Sequence, residues 1–319
     1  MLRVVVPYIL LLGALPRTAS TAAALPAALP VCTAAFRKLL ASSGGAWPPP
    51  CPAPAHLVAA FERDSMPITR SWCMAQRHEG GATVTWSEEF LESYRVGVRS
   101  GAEGGSYTTA HVAQVRGALR ARAESFRGGR VVVIGTDRPW IEVMLLDEGA
   151  SRVLTFEYAT IVSQHPRVEA RSTRDVAAAF LRGEFEPAHA VVSYSSIEHS
   201  GLGRYGDALD PDGDRDVAAQ AWCMLRPGGL FFLGVPMTCE DAGLIEFNAH
   251  RIYGLRRLAR LARGFEFVGF DAGGCQPYLP SREPQPVVVL RKPANATWNK
   301  RSVWADLARA VAEQAGQEL

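Results

Sequence analysis

The stretch RVVVIGTDRPWIEVMLLDEGASRVLTFEY, residues 130–158, decides the fold of this chain. Two apolar runs of strand length, 130–134 and 152–156, flank a turn and a segment, 140–148, that has the composition and length of a helix. Strands that are apolar at nearly every position are typical of a parallel sheet with helices on both faces. The stretch therefore predicts a strand, a helix and a second strand, which together open a doubly wound α/β sheet.

The same alternation continues beyond residue 158. Further strands are predicted at 168–170, 188–193, 230–235, 265–270 and 286–290, and further helices at 174–182, 214–225 and 247–262. No convincing helix joins the last two strands, which indicates an antiparallel edge. The predicted fold is therefore α/β: a Rossmann-like, doubly wound, mostly parallel sheet with an antiparallel last strand, spanning residues 130–292.

Amino-acid composition predicts the character of the segments outside this sheet. Residues 1–24 are apolar or small after Arg3, which predicts a secretory signal peptide, with an uncleaved signal anchor or an organellar transit peptide as alternatives. Residues 25–55 are rich in Ala and Pro and are predicted to be an extended linker. Residues 56–129 are expected to form a helical lead-in, and residues 293–319 a C-terminal tail with a short helix. We therefore expect a secreted or secretory-pathway protein, membrane-anchored in the lumen only if the first segment is retained, or else an organellar protein.

The charge and cysteine content of the chain limit the kinds of partner and metal site that we expect. The 319 residues include 34 Lys and Arg against 32 Asp and Glu, and the cations are scattered, so nucleic acid is not an expected partner. The six cysteines have no C-x-x-C or zinc-finger spacing, and no metal site is expected. In an oxidising lumen Cys32, Cys51 and Cys73 could form disulfides that stabilise the N-terminal region, but the sequence does not determine which cysteines pair. Asn295-Ala296-Thr297 is a glycosylation acceptor if the chain is lumenal.

Ligands of doubly wound sheets bind at the carboxyl ends of the strands, where the strand order reverses. The loop after the first strand begins Gly135-Thr136, but Pro139-Trp140 stands where a dinucleotide's pyrophosphate needs close backbone approach. A nicotinamide or flavin dinucleotide is therefore disfavoured, whereas a cofactor without a pyrophosphate remains admissible. Glu157 ends the second strand, where a carboxylate can accept hydrogen bonds from ribose hydroxyls, and Tyr158 is placed to lie against an adenine. The alternatives are an ordinary turn, a solvated acid and a tyrosine in rim packing.

Candidate catalytic residues follow the later strands. In the polar loop 194–207, His199 is a candidate general base, oriented by Glu198 or Asp207; alternatively it bonds to backbone and shapes the turn. At the start of the predicted helix 247–262, His250 and Arg251 are expected to form a substrate wall, unless Asn248 caps the helix and both lie on the surface.

An acidic run, residues 210–216, superficially resembles a calcium loop. Its glycine and its missing final Glu fit that loop poorly, so a turn that caps the helix at 214–225 is expected. A metal held by these carboxylates with His199 and His250 is the lesser alternative.

Three segments, 135–142, 195–207 and 247–254, resemble the family named domain of unknown function 268, and the resemblance extends from about residue 107 to residue 292. That family is similar to class I S-adenosylmethionine-dependent methyltransferases, which have a seven-stranded, mostly parallel sheet with an antiparallel last strand. The resemblance implies S-adenosylmethionine as cofactor. It also implies that Gly135 and its loop, with Thr136, cradle the methionine part, that Glu157 holds the ribose, and that Ser195 lies near the sulfonium.

Two functions remain open. The first is a methyltransferase that acts on a small-molecule or glycan acceptor, with His199 as base assisted by Asp207, and with His250 positioning the acceptor. The second is a non-catalytic Rossmann-like module that binds a nucleotide, glycan or protein partner through the same loops. A first loop without further glycines, and the absence of an acid at Ser172-Thr173 after the third strand, favour the second.

Overall fold

The computed structural model of this chain describes residues 29–42, 44–76, 83–101, 107–271, 274–275, 285–295, 297–298 and 302–317. Residues 1–24, for which the sequence predicts a signal segment, lie outside the described residues, as does Ala296 of the glycosylation triplet.

The described chain ahead of the predicted sheet consists mainly of helices with two short strands. Its elements are α1 (Pro30–Ala41), α2 (Ala55–Phe61), β1 (Ile68–Ser71), β2 (Val84–Trp86), α3 (Glu88–Ser100) and α4 (Thr109–Ala121).

From residue 130 onward, strands and helices alternate as the sequence predicts. The elements are β3 (Arg130–Ile134), α5 (Trp140–Asp147), β4 (Arg152–Glu157), β5 (Ile161–Ser163), β6 (Val168–Ser172), α6 (Thr173–Leu181), β7 (Ala188–Tyr194), α7 (Gly213–Met224), β8 (Leu225–Gly234), β9 (Leu244–Phe247), β10 (His250–Ile252), α8 (Leu255–Leu261), β11 (Glu266–Asp271), β12 (Val287–Arg291) and α9 (Trp304–Gln317).

One seven-stranded sheet organises the molecule, in the order β11-β12-β8-β7-β3-β4-β6. The strands from β8 to β6 are parallel neighbours, whereas β12 runs antiparallel to both β8 and β11. The α/β class and the mostly parallel sheet with an antiparallel last strand are therefore confirmed. The two late strands also form the expected antiparallel edge: β11 is the outermost strand, and β12 lies inside it, where pairing on both sides and burial of Val287–Leu290 stabilise it.

Helices cover both faces of this sheet. Val131 and Val133 of β3 point into a core shared with α3, α4 and α5, whereas Val132 and Ile134 point into a core shared with α1, α6 and α7. Because both faces are apolar, β3 needs an apolar residue at nearly every position. The strand order reverses between β3 and β7, which opens a crevice at their carboxyl ends.

The N-terminal segment is not the extended linker that its Ala and Pro content predicts for residues 25–55. Residues 30–41 form α1, which packs on α6 with the rings of Phe36 and Phe180 stacked at 4.0 Å between centroids. Pro30 stands in the first turn of this helix, where its missing N–H has no intrahelical partner to lose. The later prolines, at 48–54, do lie outside helices.

All six cysteines form disulfides. The pairs are Cys32–Cys223, Cys51–Cys73 and Cys239–Cys275, of which the first joins α1 to α7 across 191 residues of sequence. Three disulfides in one chain indicate an oxidising compartment. Among the described residues, no helix combines the length and the apolar character needed to cross a bilayer.

The predicted helix 247–262 was wrong over its first half. Residues 244–252 form the β9–β10 hairpin, which pairs with β1, and the helix starts only at Leu255. Asn248 does not cap a helix: its side-chain amide accepts from the Met74 N–H at 2.8 Å and donates to the Met74 carbonyl at 2.7 Å. Pairing with a distant segment therefore overrides the local helical pattern.

Candidate functional site

A cavity of about 230 Å³ opens at the carboxyl ends of β3, β4 and β7, where the strand order reverses. Its walls include six of the residues selected from the sequence, namely Gly135, Glu157, Tyr158, Ser195, His199 and Asp207. Thr136 and His250 do not line it. The structure therefore brings most of the predicted site together at the predicted edge of the sheet.

The loop after β3 makes a tight turn at Gly135, whose φ is +80°. A Cβ atom at this position would lie 1.8 Å from Oγ of Ser196, so only glycine allows the two loops to touch. Thr136 does not line the cavity. It is buried and donates to Oε1 of Glu142 at 2.6 Å, an oxygen that also accepts from Thr155 at 2.6 Å. Burial raises the pKa of Glu142 to about 7.

Glu157 ends β4 at the cavity wall, where the sequence predicts the ribose-binding acid. Its Oε1 accepts from the Tyr158 N–H at 2.7 Å and from the Ala159 N–H at 3.4 Å. Burial raises the pKa of Glu157 to about 7, against the lowering effect of these two N–H groups. A carboxylate has about four lone-pair positions, so Glu157 keeps acceptor capacity for a ligand's hydroxyls.

The cavity has a mixed lining. Its apolar side chains, Leu39, Ile134, Phe156 and Val217, belong to the core shared with α1, α6 and α7, and together with Gln220 of α7 they form the part of the lining called here the apolar end. The rest of the lining includes tyrosines and polar groups, among them Tyr107, Asp137, Ser196, Ser200 and Tyr205. A ligand that fits this cavity needs an apolar part and a polar part.

Ser195, at the end of β7, has a φ of +49°, which is uncommon for a residue with a side chain. Its Oγ donates to Oε1 of Glu198 at 2.8 Å and accepts from Nε2 of Gln285 at 3.4 Å. Glu198 is completely buried, and burial raises its pKa to about 7. Its Oε2 has no hydrogen-bond partner among the described residues.

His199 lines the cavity beside this pair. Its Nδ1 lies 2.6 Å from the Ala249 carbonyl, which can only accept, so Nδ1 carries the proton and Nε2 is the unprotonated nitrogen. Nε2 lies 3.7 Å from Oε1 of Glu198. Burial and the positive charge of Arg204 lower the pKa of His199 to about 3, so its ring is neutral at neutral pH.

Asp207 does not orient His199, although it lines the same cavity. Its carboxylate accepts N–H bonds from Gly201, Gly203 and Tyr205 at 2.6, 3.2 and 3.3 Å. Burial raises its pKa. Asp207 therefore holds the glycine-containing loop in shape, and the orientation of His199 comes from Ala249.

His250 lies on β10 next to His199, with 6.3 Å between the centroids of the two rings. Arg251 does not form a substrate wall, because it is buried and donates to the carbonyls of Glu198 and Ser200 at 3.2 and 2.7 Å. These bonds hold the backbone on both sides of His199 in place.

The acidic run that the sequence assigns to a helix cap contains a buried charge instead. Asp214, in the first turn of α7, is fully buried and pairs with Arg257 of α8 at 2.5 Å and with the Tyr253 hydroxyl at 3.0 Å. Within the described part of the chain, no group of three or more His, Cys, Asp or Glu side chains could hold a metal ion.

Sequence reasoning missed several residues of the cavity wall. Tyr107 precedes α4 and reaches the site from outside the sheet, where its ring packs against Trp140 and Tyr194. Burial raises the pKa of Tyr107 to about 12. Leu39 comes from α1, in the segment expected to be a linker. Neither carries a local sequence signal, because its role depends on contacts distant in sequence.

Comparisons with known proteins show what this chain is similar to. No curated protein matches its sequence. Among solved structures, a candidate hemolysin from Lactococcus lactis is 13% identical with a TM-score of 0.39, and covers 63% of this chain and 95% of its own. An O-methyltransferase family protein from Burkholderia thailandensis is 12% identical with a TM-score of 0.38, and covers 64% of this chain and 57% of its own.

A branched-chain polyamine synthase from Thermus thermophilus is 14% identical with a TM-score of 0.37, and covers 82% of this chain and 76% of its own. These scores carry no argument about activity, and the fold assignment rests on the strand order. A family model matches residues 128–277, which include the sheet from β3 to β11 and the loops around the cavity. Over these residues, the chain is similar to the family described as Caenorhabditis protein of unknown function, DUF268.

Proposed function

We propose that this chain is an S-adenosylmethionine-dependent methyltransferase. The observation that carries the proposal is the cavity at the switch point of the sheet, with the buried-strand acid Glu157 on its wall and an apolar end beside it. In this kind of sheet, an acid at the end of the second strand is placed to bind a nucleoside ribose. The acceptor in this proposal is a small molecule or a glycan, met in the secretory pathway or outside the cell.

The residues on the cavity wall suit the proposed cofactor. Glu157 would accept the ribose hydroxyls, and the apolar end would enclose the adenine, with Tyr158 at its rim. The loop at Gly135, together with Asp137 and Ser195, would surround the methionine part. When bound, S-adenosylmethionine supplies a methyl group on a positively charged sulfonium.

Proton removal from the acceptor falls to the pair Ser195–Glu198. A base is most effective with a pKa near the working pH, which favours Glu198 over His199, since their pKa values are about 7 and about 3. Ser195 faces the cavity and donates to Glu198, so it can take the acceptor's proton while passing its own to the carboxylate. His199 and its unprotonated Nε2 would orient the acceptor's hydroxyl or amine.

Calorimetric titration of the disulfide-bonded chain with S-adenosylmethionine and S-adenosylhomocysteine tests the proposal. Saturable binding is expected, and Glu157→Ala should weaken it because two ribose hydroxyls lose their acceptor. Glu169→Ala is the matched control, since this acid lies on neighbouring β6 away from the cavity and pairs with Arg171. A folded wild type that binds neither ligand at millimolar concentration would reject the methyltransferase.

A non-catalytic binding module is the second candidate. Two observations favour it: Ser196 takes the space next to Gly135, and the Thr136 hydroxyl is occupied by Glu142. In addition, the cavity of about 230 Å³ is smaller than the roughly 300–1,000 Å³ usual for ligand pockets. Cofactor binding without transfer to any acceptor would support this module.

A further inference from the structure

One polar side chain lies in the apolar end of the cavity. Gln220 of α7 is 3% exposed and shares this wall with Leu39, Phe156 and Val217. A buried amide among apolar side chains is unfavourable unless both of its ends find partners.

Among the residues that the structure describes, only one end of the Gln220 amide finds a partner. Nε2 lies 3.4 Å from the Ala35 carbonyl of α1, an atom that can only accept. This contact fixes the orientation of the amide and leaves Oε1 on the other side. Oε1 is buried, and no described residue donates to it.

The Cys32–Cys223 disulfide lies one helical turn from this contact. Cys32 and Ala35 are three residues apart on α1, and Gln220 and Cys223 are three residues apart on α7, so each pair lies on one helix face. The covalent link therefore fixes the register of α1 against α7 and keeps the Ala35 carbonyl against Gln220. The amide cannot reverse without setting its oxygen against a carbonyl oxygen.

We propose that Gln220 selects adenine, by accepting a hydrogen bond from the exocyclic amino group through Oε1. This inference rests on the proposed function, which places the nucleoside's base in the apolar end of the cavity. Glutamine amides pair well with adenine, whose amino group is a donor, whereas hypoxanthine carries an acceptor oxygen at the same position. A fixed acceptor on the protein attracts the first base and repels the second.

The test compares two ligands that differ at this position alone. The full disulfide-bonded chain is titrated calorimetrically with S-adenosylhomocysteine and with S-inosylhomocysteine, its deaminated form. The wild type is expected to bind the adenosine compound at least about tenfold more tightly, as is typical for the loss of one buried hydrogen bond. Gln220→Leu, which has a similar volume and no acceptor, should bring the two affinities together.

Val217→Ala is the matched control on the same helix. It removes apolar contact from the cavity wall, so both ligands should bind more weakly and their ratio should stay the same. Gln220→Glu should also keep the preference, because a protonated carboxyl retains one donor for Ala35 and one acceptor for the ligand.

The outcomes separate this inference from the proposed function. Equal binding of both ligands by the wild type, or an unchanged ratio in Gln220→Leu, overturns the role of Gln220 and leaves cofactor binding in place. If the folded wild type binds neither ligand at millimolar concentration, the proposed function fails and this inference fails with it. The wild-type ratio decides the matter even if Gln220→Leu does not fold.

Discussion

At the scale of single residues, Glu142, which is hydrogen-bonded to the loop after β3, should make the stability of the fold depend on pH. Glu142 has a pKa of about 7 in the folded chain, against an ordinary value of 4.5. Between these values the folded chain keeps the proton and the unfolded chain has released it, so folding becomes less favourable as pH rises.

Glu142→Gln removes this titration. In the wild type, Glu142 should lower the free energy of unfolding by about 1.4 kcal/mol for each pH unit between about pH 4.5 and 7. The variant should lack this contribution to the pH dependence. Urea unfolding at pH 5, 6 and 7 measures it. Glu124→Gln, at an exposed acid, is the control and should keep the wild-type slope. An equal slope in both variants would show that Glu142 is ionised throughout.

A matched pair of glycines tests close backbone packing. A Cβ atom at Gly254 would lie 2.3 Å from the backbone carbon of Ala242, whereas a Cβ at Gly117 of α4 would meet no atom within 4 Å. Gly254→Ala should therefore destabilise the chain by about 2 kcal/mol or more, because backbone must move. Gly117→Ala should stabilise it by about 0.5–1 kcal/mol, since alanine suits a helix interior better. Thermal unfolding of both variants checks the signs, and two shifts in the same direction would refute the argument.

Single residues of the site were predictable where a strand end places them. Glu157 follows from its position after an apolar strand, and the cavity does include it. The partners of these side chains were not predictable from local sequence: the Ala249 carbonyl accepts a hydrogen bond from Nδ1–H of His199, and loop N–H groups donate to the Asp207 carboxylate. A motif therefore locates a histidine at the sheet edge without revealing which nitrogen faces the cavity.

At the scale of elements, sequence pattern and tertiary pairing contribute differently. The strand β3 was predicted with the observed bounds, because its burial on both faces leaves a continuous apolar run. The hairpin β9–β10 was predicted as a helix, since its pairing with β1 lies some 175 residues away in sequence, as the register Ile68–Ile245 illustrates. Arg257 shows the same dependence on distant segments, because its charge is buried against Asp214 of α7.

The charged cluster between α7 and α8 should be sensitive to the loss of its acid. Asp214→Asn leaves Arg251 and Arg257 buried with less negative charge, which is expected to cost about 3–5 kcal/mol of unfolding free energy. Asp241→Asn, in an exposed pair with Arg256, should cost about 1 kcal/mol or less. Urea titration at neutral pH compares the two, and similar small losses would mean that water reaches the cluster.

At the scale of the whole molecule, the Cys32–Cys223 disulfide ties the N-terminal segment to α7, which packs on the sheet. The fold class was predictable from the alternation of elements, whereas the place of α1 was not, because a cysteine's partner cannot be read from spacing. The cavity depends on this placement through Leu39.

The two disulfides that hold the N-terminal segment should differ in their effect on stability. Removing Cys32–Cys223 with paired alanines should cost about 5 kcal/mol in the chain-entropy account, and removing Cys51–Cys73 about 3 kcal/mol, since they close loops of 191 and 22 residues. Equilibrium unfolding in urea under non-reducing conditions gives both values. The reverse order would show that strain or residual structure outweighs loop length.

The long reach of Cys32–Cys223 also bears on how the chain is made. At about 5–20 residues per second, a ribosome needs about 10–40 s to add the 191 residues that separate the two cysteines. During that interval Cys51 and Cys73 are made, and each is the other's native partner. Cys32 must therefore stay unpaired, or exchange an early partner, until α7 has been made.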